Sequence, residues 1–144
     1  MQVKLIAEGA EKTYALVLMP GEDPHEEILT FARERGITAG RLMGVGAFAR
    51  VTLAYFNLET RRYEEHPYEQ QVEVTSFLGN LALTGEQELK LHAHVTIADR
   101  EGRSWGGHFL HARVQPTLEL FLIQSPHALT RRKDDATGLD LLRF

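Results

Sequence analysis

Apolar and polar residues alternate along most of this chain, in short runs bounded by Gly, Pro, Asn or Asp. The clearest are TYALVLMPG from Thr13, RLMGVGAF from Arg41, RVTLAYFNL from Arg50, YEQQVEVTSFLGNLAL from Tyr68, LKLHAHVTIADREGRSWGGHFLHARV from Leu89 and PTLELFLIQ from Pro116. A period of two, with β-branched and aromatic residues on one side, predicts half-buried strands. One segment breaks the rhythm. EDPHEEILTFARERG offers Asp23 as N-cap, Pro24 at the first helical position and Glu26 and Glu27 in the first turn. Ile28, Leu29, Phe31 and Ala32 follow at helical spacing and Gly36 ends the run, so a helix is predicted over about residues 24–35. Two N-terminal strands, one principal helix and a succession of strands make an α+β fold, with the helix packed on a mostly antiparallel β-sheet.

The last segment, HALTRRKDDATGLDLLRF, mixes Arg131, Arg132 and Lys133 with Asp134 and Asp135. It is expected to form a solvated turn or short helix, after which Leu139, Leu141, Leu142 and Phe144 dock on the body or on a neighbouring subunit.

Composition narrows the possibilities. A length of 144 residues, 43% of them hydrophobic, suits one domain spanning 1–144. The 16 Lys and Arg against 20 Asp and Glu give a net charge of −4, which disfavours nucleic-acid backbones unless a local basic patch forms. The absence of cysteine excludes disulfides and thiolate metal sites, leaving His and carboxylates as metal donors. With no run of the ~20 apolar residues a membrane span needs and no signal peptide pattern, a cytoplasmic protein is expected.

Four of the seven histidines fall between His92 and His111. A three-residue turn Arg100–Gly102, with Gly102 in the left-handed position, would set Asp99 opposite Arg103, Ile97 opposite Trp105, Val95 opposite Gly107 and His94 opposite His108. His92 is then the diagonal neighbour of His108. Leu91, Ala93, Val95 and Ile97 share the core side with Trp105, Phe109 and His111. Lys90, His92, His94 and Thr96 share the other side with Gly106, His108 and Leu110.

Cross-strand Cβ atoms lie ~5 Å apart, so His92, His94 and His108 can converge on one metal ion, zinc by preference for an all-imidazole set, with another divalent transition metal chemically allowed. Gly106 and Gly107 clear room beside His108 for a ligand or for another backbone. His25, His66 and His127 are expected on the surface. Gly44 and Gly46 mark a bulge or a close approach of backbones rather than a phosphate loop. Glu73 and Glu119, flanked by apolar residues in strands, are candidates to orient a ligating imidazole.

The order AGRLMGVGAFARVTLAYFN, EVTSFLGNLAL and LHAHVTIADREGRSWGGHFLHARVQPTLELFL resembles the plant and prokaryote conserved domain, also called PPC or DUF296. The most specific element is His-x-His followed by Gly-Gly-His, at His92, His94, Gly106, Gly107 and His108. Gly44, Gly46, Gly79 and Asn80 support it, as do Arg132, Asp135 and the Thr-Gly-Leu that follows. The resemblance implies a compact α+β domain, a homotrimer, and a metal held by those three histidines, generally zinc; no established reaction comes with it, and no catalytic residue is identified. Plant members carry an Arg-Gly-Arg-Pro hook for the DNA minor groove, which this sequence lacks.

Three functions are therefore in view. The first is a metal site that binds or hydrolyses a small molecule; the second is a non-enzymatic oligomeric module with a structural or sensory metal. The third is a DNA-associated regulatory module acting through Arg61, Arg62, Arg131, Arg132 and Lys133, which the charge balance disfavours.

Overall fold

The computed structural model describes residues 1–144. Strands β1 (Gln2–Glu8) and β2 (Lys12–Leu18) precede helix α1 (Pro24–Glu34), followed by β3 (Gly40–Asn57), β4 (Arg62–Tyr68), β5 (Val72–Leu83), β6 (Leu89–Ala98) and β7 (Ser104–Gln124). The short strands β8 (Arg131–Lys133) and β9 (Asp140–Leu142) close the chain. The α+β architecture with a largely antiparallel sheet is as the alternation predicts. The runs from Arg41 and Arg50 are a single strand, β3. The second half of the histidine-rich run, from Ser104, and the run after Pro116 are likewise a single strand, β7, which contains a cis Gln115–Pro116 bond.

Seven strands form one sheet in the order β1-β2-β7-β6-β5-β3-β4, and β7 also pairs with β3. Strands β3, β5, β6 and β7 thus close on themselves as a small barrel, leaving β1 and β4 as the edge strands of the sheet. Phe48, Phe77 and Phe109 fill its interior, with Phe109 5.2 Å from Phe77 and 6.1 Å from Phe48 between ring centroids. Full burial of each such ring contributes on the order of 1.5–3 kcal/mol.

Closing so narrow a barrel needs positions without side chains. A Cβ on Gly44 would lie 2.2 Å from the Glu119 carbonyl oxygen, and one on Gly46 2.4 Å from that of Thr117. Both glycines serve the close approach of β3 to β7, and the register of β3 against β5 shifts between them.

Asp23 caps α1 by accepting a hydrogen bond from the His25 N–H at 2.9 Å, and Gly36 beyond its end has φ +64°. The second carboxylate oxygen of Asp23 accepts from the Ala112 N–H at 3.2 Å, tying the start of the helix to β7. Ile28, Leu29, Phe31 and Ala32 are buried in the same core as the strands, with Phe31 edge-on to Tyr14 at 5.2 Å. No helix is long and apolar enough to cross a membrane.

Two sequence expectations need correction here. Of the solvated turn or short helix expected for the tail, the turn forms and the helix does not: β8 and β9 pair as a hairpin around a turn in which the Asp134 carboxylate accepts from the N–H and hydroxyl of Thr137. Leu139, Leu141 and Leu142 are half-buried, while Phe144 is fully exposed. Strand β4 was not anticipated, because RYEEHPY is polar, exposed and contains Pro67, features of an edge strand that alternation does not detect.

Candidate metal centre

The turn between β6 and β7 forms as its residues dictate. Gly102 has φ +77°, its N–H donates to the Asp99 carbonyl at 2.9 Å, and the buried Asp99 carboxylate accepts from the N–H groups of Glu101 and Arg103. This fixes the register His94↔His108, Val95↔Gly107 and Ile97↔Trp105. All three of His92, His94 and His108 consequently project from the outer face of the barrel, opposite the core.

Their imidazole centroids form a nearly equilateral triangle with sides of 5.1, 5.2 and 5.5 Å, and one nitrogen from each lies within 4.8 Å of the other two. With metal–nitrogen bonds of ~2.0–2.1 Å, tetrahedral zinc needs ligand nitrogens roughly 3.3 Å apart, a contraction that side-chain rotation supplies. Burial lowers the His108 pKa to about 4, helped by His92, His94, His25 and Arg131, and burial with Arg131 and His94 lowers that of His92. Both rings are therefore neutral at pH 7, as ligands must be. His108 Nδ1 is buried without a hydrogen-bond partner. A buried polar atom left unpaired costs free energy, so the residue set fits a cation that would draw the three rings together.

The triad floors an open cleft of about 720 Å³. Tyr55 and Phe56 of β3, Tyr63, His66 and Tyr68 of β4, Trp105 of β7 and Leu139 of the terminal hairpin supply its walls, and no Asp or Glu lines it. Tyr63 stacks on His108, centroids 4.7 Å apart and planes within 25°. Gly106 sits in the floor, where a Cβ would meet the Thr96 hydroxyl at 3.3 Å. Gly107 also borders the cleft but faces inward, with the Ala54 carbonyl oxygen 2.9 Å from where its Cβ would be, so its bareness serves the contact between β7 and β3.

The other sequence candidates divide. Asn80 lies opposite His92 across β5 and β6, and its side-chain oxygen accepts a hydrogen bond from Arg131. Glu73 and Glu119 are exposed and border neither the triad nor its cleft: Glu73 pairs with Ala98 at the far end of β6, and Glu119 with Val45 and Val17. The structure therefore removes both as partners of the imidazoles. Gly44 and Gly46 serve barrel closure and likewise lie outside the cleft.

Two histidine expectations change as well. His111 is exposed rather than on the core side, because a bulge at Leu110 shifts the register between Thr52↔His111 and Leu53↔Phe109 and reverses the alternation. His25 is half-buried, and His66, though exposed, belongs to the cleft wall. Sequence reasoning missed Tyr63 and Arg131: the first lies on the unanticipated β4, and the second sat within an apparent surface charge run.

Among proteins of known sequence, the bifunctional protein GlmU of Synechococcus sp. strain JA-3-3Ab is 31% identical over 133 residues, which is 90% of this chain. The match takes in 20% of GlmU, so the chain spans about a fifth of the length of that curated relative. Among solved structures, the metal-containing protein AF0104 of Archaeoglobus fulgidus superposes with a TM-score of 0.85 at 26% identity, covering 100% of this chain and 99% of the other. A plant- and prokaryote-conserved (PPC) protein of Pyrococcus horikoshii gives a TM-score of 0.85 at 27% identity, over 99% and 95% of the two chains. Residues 6–126 match the Plants and Prokaryotes Conserved (PCC) domain, and the chain belongs to that family.

Proposed function

We propose that this protein is a metal-binding domain, with zinc as the resident ion, whose His92, His94 and His108 present the metal to a small molecule in the aromatic cleft. The observation that carries this reading is the convergence of three imidazoles, with no fourth protein donor grouped with them, on the floor of an open cleft. A closed structural site would spend all its positions on protein ligands, whereas three imidazoles leave one for an exchangeable ligand. A bound zinc ion supplies Lewis acidity and can lower the pKa of its water toward ~7, chemistry compatible with hydrolysis. This chain's own contribution is to hold the His92 and His108 imidazoles neutral and to stack Tyr63 against His108. The Archaeoglobus relative's description as metal-containing agrees.

The domain is further proposed to work as a homotrimer. Met43, Leu78 and Phe121 stand side by side across β5, β3 and β7 on the outer face, 44%, 57% and 46% exposed, with Val45 nearby at 55%. Apolar rows of this kind mark association surfaces. Leu78 is paired with His94, so the row runs up to the metal triad.

A DNA-associated role has less support. Arg131 is buried, Arg61 and Arg62 lie at the β3–β4 turn, and Arg132 and Lys133 share a cleft with Glu86, Glu88 and Asp140, so no continuous basic stripe forms.

Elemental analysis of untagged protein tests the metal reading. Close to one metal per chain is expected, with loss of it in the His92→Ala, His108→Ala double variant. Negligible metal in the unaltered protein refutes it.

A further inference from the structure

Arg131 is 4% exposed, the most deeply buried basic side chain of the chain. Its guanidinium donates to the Asp140 carbonyl oxygen at 3.0 Å and to the Asn80 side-chain oxygen, both neutral acceptors, while its Nε has no partner. The nearby Asp140 carboxylate is 2.7 Å from Lys90 Nζ and is thereby already paired. Arginine stays charged in proteins, so this is a buried cation with no carboxylate bonded to it, normally a costly arrangement.

Its position gives the cost a purpose. The guanidinium lines a second cleft of about 290 Å³ that shares Tyr63, His92, His108 and Leu139 with the aromatic cleft. A divalent ion on three imidazoles would set a further double positive charge beside it; no Asp or Glu lines the main cleft, and the one carboxylate bordering the second, Asp140, is bonded to Lys90, which borders it too. Such a pair of cations is stable when an anion lies between them, and a planar carboxylate suits the fork of a guanidinium. The walls, by contrast, are Tyr55, Phe56, Tyr63, Tyr68 and Trp105, which match an apolar, flat body.

We infer that the joined clefts form a binding site for a small organic carboxylate, its headgroup held between Arg131 and the metal triad and its apolar body against the aromatic walls. This deepens the metal-site reading and rests on it. Asn80 and the Asp140 carbonyl act as positioning groups that fix the guanidinium.

The test uses zinc-loaded protein and its chelator-stripped form, with benzoate as probe and benzyl alcohol as its neutral counterpart. Binding is read by calorimetry and by the emission of Trp105, the single tryptophan, which lies in the cleft wall. Saturable benzoate binding to the zinc form is expected, weakened roughly tenfold or more in Arg131→Met, with benzyl alcohol at least about tenfold weaker than benzoate. Benzyl alcohol binding the unaltered protein as tightly as benzoate overturns the inference, and this comparison stands even should Arg131→Met fail to fold. Undiminished benzoate binding by folded Arg131→Met overturns it as well. Zinc content is measured on the same samples. Near-stoichiometric zinc without benzoate binding refutes the carboxylate site alone, whereas benzoate bound through Arg131 by protein that takes up no zinc refutes the metal reading and, with it, the placing of the headgroup against a metal. Neither zinc nor benzoate bound refutes both.

Discussion

Alanine at Gly107 would set its Cβ 2.9 Å from the backbone oxygen of Ala54 and 3.4 Å from the Leu53 Cβ. Ordinary contact begins at 3.4 Å, so β3 and β7 must separate by about half an ångström where Ala54 pairs with His108. Overpacking of this kind costs ~1–3 kcal/mol, against which the lost unfolded-state freedom of glycine returns ~0.4–1 kcal/mol. The net loss expected for Gly107→Ala is therefore about 1–2 kcal/mol, or roughly 3–8 °C in Tm for a chain of this size. At Gly106 the new Cβ meets the rotatable Thr96 hydroxyl and the Val95 carbonyl, each at 3.3 Å, and the two effects nearly cancel, to within about 0.5 kcal/mol. At Gly46 and Gly44 the obstructing oxygens are at 2.4 and 2.2 Å, so losses above ~3 kcal/mol are expected. Urea unfolding of the four variants in the presence of chelator, followed by tryptophan emission, gives the order. Metal competition against a chelating dye should then show weakened zinc affinity in Gly107→Ala but not in Gly106→Ala. Equal losses at the adjacent glycines, or a harmless Gly44→Ala, would refute the account of barrel closure.

Other perturbations probe the cap, the triad and the outer face. Asp23→Ala removes the acceptor for both the His25 and Ala112 N–H groups at a buried site, so a loss of about 2–4 kcal/mol is expected from denaturant midpoints; less than ~1 kcal/mol contradicts the assigned bonds. In metal-free protein His108 titrates at about 4 when folded but near 6.5 when unfolded, and the unfolded chain therefore binds the extra proton between those values. The contribution of His108 is complete above pH ~6.5 and is lost as pH falls toward 4, so His108→Gln should flatten that part of the stability profile; an unchanged profile contradicts it. Phe121→Glu with Met43→Glu should shift sedimentation velocity from trimer to monomer, whereas a monomeric unaltered protein refutes the proposed assembly.

The legible parts of the structure are those decided by neighbours in sequence. Asp23, Pro24 and Gly36 bound the helix by their own chemistry, and Asp99 with Gly102 sets the hairpin that gathers His92, His94 and His108. What escaped depends on partners distant in the chain. Leu110 bulges where β7 leaves β6 for β3, which turned His111 outward, and nothing within LHARV signals the change. Glu73 and Glu119 satisfy strand alternation, yet alternation fixes a face without fixing a position along the barrel. Arg131 resembles its exposed neighbours Arg132 and Lys133 until the terminal hairpin folds over Asn80.

The long strand β7 also governs how the molecule acquires its structure. It pairs with β2, β3 and β6 in turn, and its ladder with β3 joins residue 40 to residue 124 and residue 54 to residue 108. Such remote pairing makes for slow folding, because chain entropy is spent before most contacts form. The β6–β7 hairpin is the exception: its partners are close in sequence, and it carries all three histidines. A metal captured by that hairpin would stabilise an early, local element of an otherwise long-range topology, and refolding in the presence of zinc should accordingly be faster than refolding with chelator.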